Sequence, residues 1–240
     1  MNQIYPKIPV SLAWSGGKDA AYALYLLMED PVYRVVRLHT TFGEETRRVG
    51  LHGIHECLIQ KQAKLIGLPL DSIYFSESGD NQAYEKSMSN YFERLKYKGV
   101  FHVAYGDIFL EDLKQYREKQ LEKAGIQPVF PLWGKSTRKM IGEVIQSGFS
   151  AAICAADADK IGEDWLGEIL SYDFLDALPR SVDHCGENGE FHTFCFDGPI
   201  FSEKVPISFG ETVKKSYSFQ DSEGKARNKH FWFKNIKLID

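Results

Sequence analysis

Two short segments of this chain concentrate the residue types that can do chemistry: Ser15-Gly16-Gly17-Lys18-Asp19 near the start and Gly186-Glu187-Asn188-Gly189-Glu190-Phe191-His192-Thr193 in the final quarter. In the first, adjacent glycines allow backbone conformations closed to other residues and leave room for an anion against the main chain. The Ser15 hydroxyl and Lys18 ammonium suit phosphate oxygens, and Asp19 suits a helix cap or one side of a magnesium ion. In the second, Glu187, Asn188, Glu190 and His192 crowd four polar side chains into six residues. Carboxylates bind ammonium or accept its proton, and an imidazole is acid or base near neutral pH. An ordinary polar turn before a strand has the same composition, so this segment does not specify catalysis by itself.

The elements that must position these residues are readable from periodicity. Residues 8–14 form an apolar run that ends at the glycine pair, and residues 19–28 are rich in Ala, Leu and Tyr, which predicts a strand followed by a helix. An anion at that junction meets free N–H groups and the positive end of the helix dipole. Neither G-x-x-x-x-G-K-[ST] nor G-x-G-x-x-G is present, so the loop is not a Walker A or dinucleotide fingerprint. The alternation continues with strands at 35–42, 72–76 and 100–105 and helices at 54–66, 82–97 and 110–124, with Gly67, Gly99 and Gly125 as stops. Repeated βαβ units predict an α/β fold, a doubly wound parallel sheet with helices on both faces. After Pro128 the rhythm changes to a helix near 137–146, a buried strand at 151–156 and aromatic, β-prone stretches at 191–196, 216–219 and 230–239. The expected division is residues 1–128 for an anion-binding domain and residues 129–240 for a second, smaller α+β domain that holds a substrate.

Composition narrows the setting. Apolar residues at 43% and charged residues at 26% match an ordinary globular chain and exclude disordered and coiled-coil readings. Cys57, Cys154, Cys185 and Cys195 form no C-x-x-C pair, and no stretch has the order of a signal peptide or the length of a membrane span, so a soluble protein of the reducing cytoplasm is expected. The net charge of −4 predicts no nucleic-acid partner. Residues 204–240 nevertheless carry eight Lys or Arg against four Asp or Glu, for which a solvated face of lysines is the plain reading.

In its strand and helix setting, Ser15 to Asp19 resembles the S-G-G-x-D-S loop of the PP-loop superfamily, the adenine nucleotide alpha hydrolase-like ATP pyrophosphatases. These bind ATP and usually release AMP and pyrophosphate. Ala20 stands where the motif has its last serine, which removes one hydroxyl donor. Within the superfamily the chain is similar to the diphthine ammonia ligase family, including its bacterial relatives of unknown substrate. The similarity rests on His52-Gly53, Gly106-Asp107-Ile108, Pro131-Leu132-Trp133 and the Gly186 to Thr193 segment, in that order along most of the chain. It implies that the strands before Ser15 and before Gly106 are neighbours, and that Ser15, Gly16, Gly17, Lys18, Asp19, Gly106 and Asp107 bind ATP, with Mg2+ at Asp19. Lys18, Asp19, Glu187, Glu190 and His192 are then the catalytic candidates, and Trp133, Gly186, Asn188 and Thr193 the substrate-binding ones. The implied reaction is amide formation: a carboxylate attacks the α-phosphorus of ATP, pyrophosphate leaves, and ammonia or an amine displaces AMP. The implied partners are ATP, an ammonia or amine donor and a carboxylate substrate, either diphthine on elongation factor 2 or another small acid, with a homodimer as the candidate assembly.

Plainer readings stand beside these. Asp107 suits a helix N-terminus, Trp133 suits packing between domains, and His52 suits a turn cap. Cys185 reads as an inert buried thiol, and His184, Cys185, His192 and Cys195 lack a recognised zinc spacing. A nucleotide-sensing module without turnover and an RNA-modifying thiolase also fit the loop, although the latter lacks its C-x-x-C pair.

Overall fold

A computed structural model of the protein describes residues 6–76, 81–220 and 226–239. The chain runs through β1 (Ile8–Ala13), α1 (Lys18–Glu29), β2 (Tyr33–Gly43), a short hairpin of β3 (Arg48–Val49) and β4 (Ile54–His55), and α2 (Glu56–Ile66). It continues with β5 (Leu70–Phe75), α3 (Asn81–Tyr97), β6 (His102–Ala104), α4 (Glu111–Ala124) and β7 (Gln127–Val129). Five of these strands form one parallel sheet in the order β5-β2-β1-β6-β7. This is the expected doubly wound α/β sheet, and the chain reverses direction across it between β1 and β6. The strand before Ser15 and the strand before Gly106 are indeed neighbours, paired from Val10 with His102 to Leu12 with Ala104.

Side-chain alternation assigns the two faces. Val10, Leu12, Trp14, Leu38 and Phe42 share a core with α1 and α2. Ile73, Val103 and Tyr105 pack instead with Met88, Tyr91, Phe92 and Leu95 of α3 and Leu121 of α4. Helix α1 buries most of its length because it is covered twice, by the sheet and by the second half of the chain. Its Tyr22 hydroxyl donates to Glu143 at 2.8 Å, and Tyr22 and Tyr25 pack edge-on against Phe149.

The second half adds α5 (Thr137–Gln146), β8 (Ser150–Asp157), a 3-10 turn at Glu163–Trp165, α6 (Tyr172–Ala177), β9 (Phe191–Asp197), β10 (Ile207–Gln220) and β11 (Ala226–Leu238). Its four strands form an antiparallel sheet in the order β10-β11-β8-β9. The small side chains of β8 are buried from Ala151 onward. The α1 and α2 core continues without a break into Ile153, Phe174, Phe191 and Phe194 of this half.

Two stretches of the first half differ from expectation. Gln127–Val129 is a fifth parallel strand where the sequence reads as an irregular junction, because three residues carry no period. Its Pro128 is tolerated because β7 lies at the sheet edge, where one side needs no ladder donor. Residues 54–55 pair with β3, so α2 begins at Glu56, with the His55 ring accepting the Cys57 N–H at 3.3 Å as its cap.

Candidate active site

Strand β1 delivers Trp14 and then the Ser15-Gly16-Gly17 loop to the start of α1. Gly16 has φ +82°, and a Cβ there would lie 2.5 Å from Ile59 Cδ1, so conformation and space both require glycine. A Cβ on Gly17 would meet His52 Cε1 at 2.9 Å and the Thr193 carbonyl at 3.0 Å. The loop is clamped from two directions. Gln62 of α2, fully buried, accepts the Trp14 indole N–H at 2.9 Å and donates to the carbonyls of Gly16 at 3.0 Å and Cys195 at 2.5 Å. From β9, the Cys195 N–H donates to the Gly16 carbonyl at 2.8 Å, and the Lys18 N–H donates to the Thr193 hydroxyl at 3.0 Å. The second half of the chain therefore completes the loop by direct backbone contact.

Above the loop opens a cleft of about 290 Å³. It lies at the carboxyl ends of β1, β2 and β6, the position where doubly wound sheets hold ligands. Ser15, Lys18, Asp19, Gly106, Asp107, Gly186, Glu187, His192 and Thr193 all line it, so most of the residues singled out in the sequence converge there. Gly16 and Gly17 shape the loop behind it. Gly106 has a more local reason than approach to a ligand: a Cβ would sit 3.1–3.2 Å from the backbone of Asp19 and Ala20, so glycine lets the β6 loop touch the first turn of α1.

Three further expected residues, Trp133, Asn188 and Glu190, stand outside the cleft. Trp133 packs against Phe130 and beneath the Lys114 ammonium, 4.5 Å from its ring centre. Glu190 is buried and holds its own loop, accepting the Asp183 N–H at 3.2 Å and the Asn188 side-chain amide at 3.1 Å. Lys18 lines the cleft, but its ammonium is turned to protein partners, the Cys185 carbonyl at 2.5 Å and Asp19 at 3.0 Å. Burial opposes its charge, and Asp19, Cys185 and Glu187 together more than offset that, so Lys18 is held above its ordinary value and stays protonated.

Burial governs the other charges. Asp19 and Asp107 are lifted above the usual carboxylate range by burial, against the pull of Lys18 and of Arg117. Asp107 is gripped by the Arg117 guanidinium at 2.6 and 3.1 Å, and that guanidinium lies 4.0 Å over the Tyr105 ring. The second carboxyl oxygen of Asp19, Oδ1, is buried without a hydrogen-bond partner. Glu187 reaches across to accept the Ile108 N–H at 2.7 Å, and burial pushes its carboxyl up to about 7. His52 and His192 pack against one another with ring centres 4.5 Å apart and planes tilted by 40°. Burial holds His52 down to about 4 and His192 well below its ordinary value, and His192 Nε2 has no partner.

Several site residues have no local signature in the sequence. Gln62 and Arg117 sit inside ordinary amphipathic helices, and His39 inside a strand, where its ring meets the Ser11 hydroxyl at 2.9 Å. Only the helix face that each occupies, once the sheet order is known, marks them as inward-pointing. Among the described residues no three His, Cys, Asp or Glu side chains converge to hold a metal, and no helix is long and apolar enough to cross a membrane. The Cys185 thiol is pushed up by burial and donates to the Thr137 carbonyl, as an inert thiol does.

A doubly wound α/β domain whose glycine loop opens on a switch-point cleft, walled on its far side by an antiparallel sheet, is the class that fold and site define. The diphthamide synthase N-terminal domain profile matches residues 9–128 and the diphthamide synthase C-terminal domain profile matches residues 136–227. The chain belongs to that family, the diphthine ammonia ligases of the PP-loop superfamily. The human diphthine–ammonia ligase is 31% identical over 223 residues, 83% of this chain and 82% of that protein. The rat protein of the same name is 31% identical over 110 residues, 43% of this chain, and the fission yeast protein (Schizosaccharomyces pombe) 24% identical over 220 residues, 84% of this chain. The chain spans only 41% and 36% of the lengths of those two relatives. Among solved structures, the U34-tRNA thiolase NcsA of Methanococcus maripaludis, with its [4Fe-4S] cluster, aligns with a TM-score of 0.38 and 16% identity over 61% of this chain and 59% of that one.

Proposed function

We propose that the cleft binds ATP and that the protein is an ATP-dependent, AMP-forming amide ligase, which adenylates a carboxylate and transfers ammonia or an amine to it. The observation that carries this reading is the presence in one cleft of a helix-start phosphate cradle and of Glu187, a carboxyl poised at about 7. Ser15 and the N–H groups of the first turn of α1 beyond Lys18, whose own N–H is taken by Thr193, bind phosphate oxygens, since the first N–H groups of a helix have no acceptor within it. Lys18 acts through position: by joining Asp19 to the Cys185 carbonyl it holds the Gly186 to Thr193 segment against the loop.

The residues present fit a single Mg2+ carried with the polyphosphate, which needs only one or two protein carboxylates, and Asp19 offers a buried, unpartnered oxygen. Such an ion neutralises phosphate charge when bound. Glu187, half in its charged form near neutral pH, takes the proton that the incoming ammonium must lose. His52 and His192, both neutral, present hydrogen-bonding nitrogens without adding charge to the cleft. Contact between the two halves excludes the water that hydrolyses an acyl-adenylate.

The names of the relatives make diphthine, carried on elongation factor 2, the first acid to test, with ammonia as the nitrogen donor. Incubation with MgATP, the acid and 15N-ammonium should release AMP and pyrophosphate in step with 15N-amide formation. Turnover on a free small acid alone moves the substrate assignment and keeps the chemistry. ATP binding with no AMP from any acid replaces the ligase by a nucleotide-sensing module, and full activity in Lys18→Ala sinks the site assignment.

A further inference from the structure

On the far side of the β3–β4 hairpin lies a second cavity, of about 240 Å³, enclosed between that hairpin and the β10–β11 ribbon. The hairpin is a partition wall: Val49 and His52 line the cleft, whereas Arg48, Gly50 and Gly53 line the second cavity. The contact is close, since a Cβ on Gly53 would lie 2.7 Å from Phe233 Cδ1 of β11.

Charge is distributed unevenly across this wall. In the cleft, Lys18 is paired with Asp19 and Arg117 with Asp107, and Glu187 adds a further carboxyl. The second cavity brings together Arg48 and Lys215 with Glu211 as the carboxylate of its wall, and neither cation is ion-paired among the described residues. Their heads rest on neutral groups instead. Arg48 donates to the Gly53 carbonyl at 2.6 Å and the Lys215 ammonium stands 5.5 Å over the Phe233 ring, whereas Lys234 turns its ammonium to the Thr212 hydroxyl, 3.2 Å away on the opposite face of the ribbon. A solvated lysine face is convex and spreads its charges apart. Here two cations, one from each half of the chain, line a concavity that also offers an aromatic floor and the Asn235 side chain, which is what an oxyanion with a small organic body requires.

We propose that this second cavity is a binding site for a small oxyanion, a polycarboxylate or a phosphate ester, held by Arg48 and Lys215. One of the excess cations in the last part of the chain thereby acquires a specific use: the fold sets Lys215 of β10 in the same cavity as an arginine from the first half.

The test is titration of the full chain at low ionic strength with citrate and, separately, with inorganic phosphate, followed through the backbone amide shifts of residues 46–53. Saturable shifts are expected with at least one probe, weakened tenfold or more by Lys215→Glu, an exposed strand position that leaves folding intact, and weakened again by added salt. Arg48→Ala serves as the second variant, with the same direction expected. A citrate preference identifies a polycarboxylate site, a phosphate preference a phosphate-ester site. Absence of saturable shifts with both probes overturns the proposal, as do shifts confined to residues 15–19 that Lys215→Glu leaves unchanged.

Discussion

Glu187 carries a perturbation that can be read directly in kinetics. Its carboxyl titrates near 7 because burial disfavours the charged form, although the Ile108 and Phe109 N–H groups pull the other way. A base must be ionised to accept a proton, so the proposed amide formation should rise as pH increases through about 7. Glu187→Gln should remove that limb of the pH–rate profile and lower kcat by roughly 100-fold, the usual contribution of a positioned acid–base group, while leaving the KM for ATP within a few-fold. Gln62 is the converse case, a residue that touches no ligand and controls the loop. Gln62→Leu leaves the Trp14 N–H without its acceptor, removes the side-chain donor to the Cys195 carbonyl, and leaves the Gly16 carbonyl with the Cys195 N–H alone. At about 1–3 kcal/mol for each stranded buried group, the loss should lower Tm by about 5–10 °C in a calorimetric scan and weaken nucleotide binding with it.

At the level of elements, the site depends on how closely the β6 loop and α1 approach. Gly106→Ala would place a methyl 3.1–3.2 Å from the backbone carbonyl carbon of Asp19 and the N of Ala20, neither of which can rotate away. The first turn of α1 must shift, at about 1–3 kcal/mol of overpacking, and the phosphate cradle shifts with it. Nucleotide affinity, measured by calorimetric titration with a non-hydrolysable ATP analogue, should fall more than urea stability does. The same element logic explains Thr193. Its hydroxyl accepts the Lys18 N–H, so β9 supplies a capping group for α1 that Gly17, having no side chain, cannot supply.

Across the whole molecule, the two halves share one apolar core, and three imidazoles are kept neutral within or beside it. Burial holds His39 down to about 3, with the Arg117 charge adding to the effect. Its folded value lies below the ordinary 6.5, so the stability associated with a neutral His39 is complete above pH 6.5 and is lost progressively as pH falls toward 3. The advantage of the wild type over His39→Asn should therefore shrink by up to about 1.4 kcal/mol per pH unit in that window, measured from urea midpoints at several pH values. An unchanged difference between pH 7 and pH 4.5 would mean that the ring is already solvated or already charged.

By itself the sequence determined the parallel α/β sheet, because 3.6-residue and two-residue periods alternate along residues 8–124 and helix stops fall at glycines with positive φ, Gly67, Gly99 and Gly125. It also marked the loop and the Gly186 to Thr193 segment, because conformational freedom and clustered polarity are local properties of a chain. The strand made of Gln127, Pro128 and Val129 escaped it, since three residues on a sheet edge carry no periodic signal. So did the partners of the site. Gln62, Arg117 and His39 look like ordinary residues of helices and a strand until the sheet order aims them inward. The tertiary structure alone decided that the Lys18 ammonium turns to Cys185, that Glu190 braces its own loop, and that Glu187 faces the cleft. The physical reason is common to all three: a buried charge takes whichever partner the fold brings within hydrogen-bonding distance, and that distance is set by the packing of α1 and β9 from opposite halves of the chain.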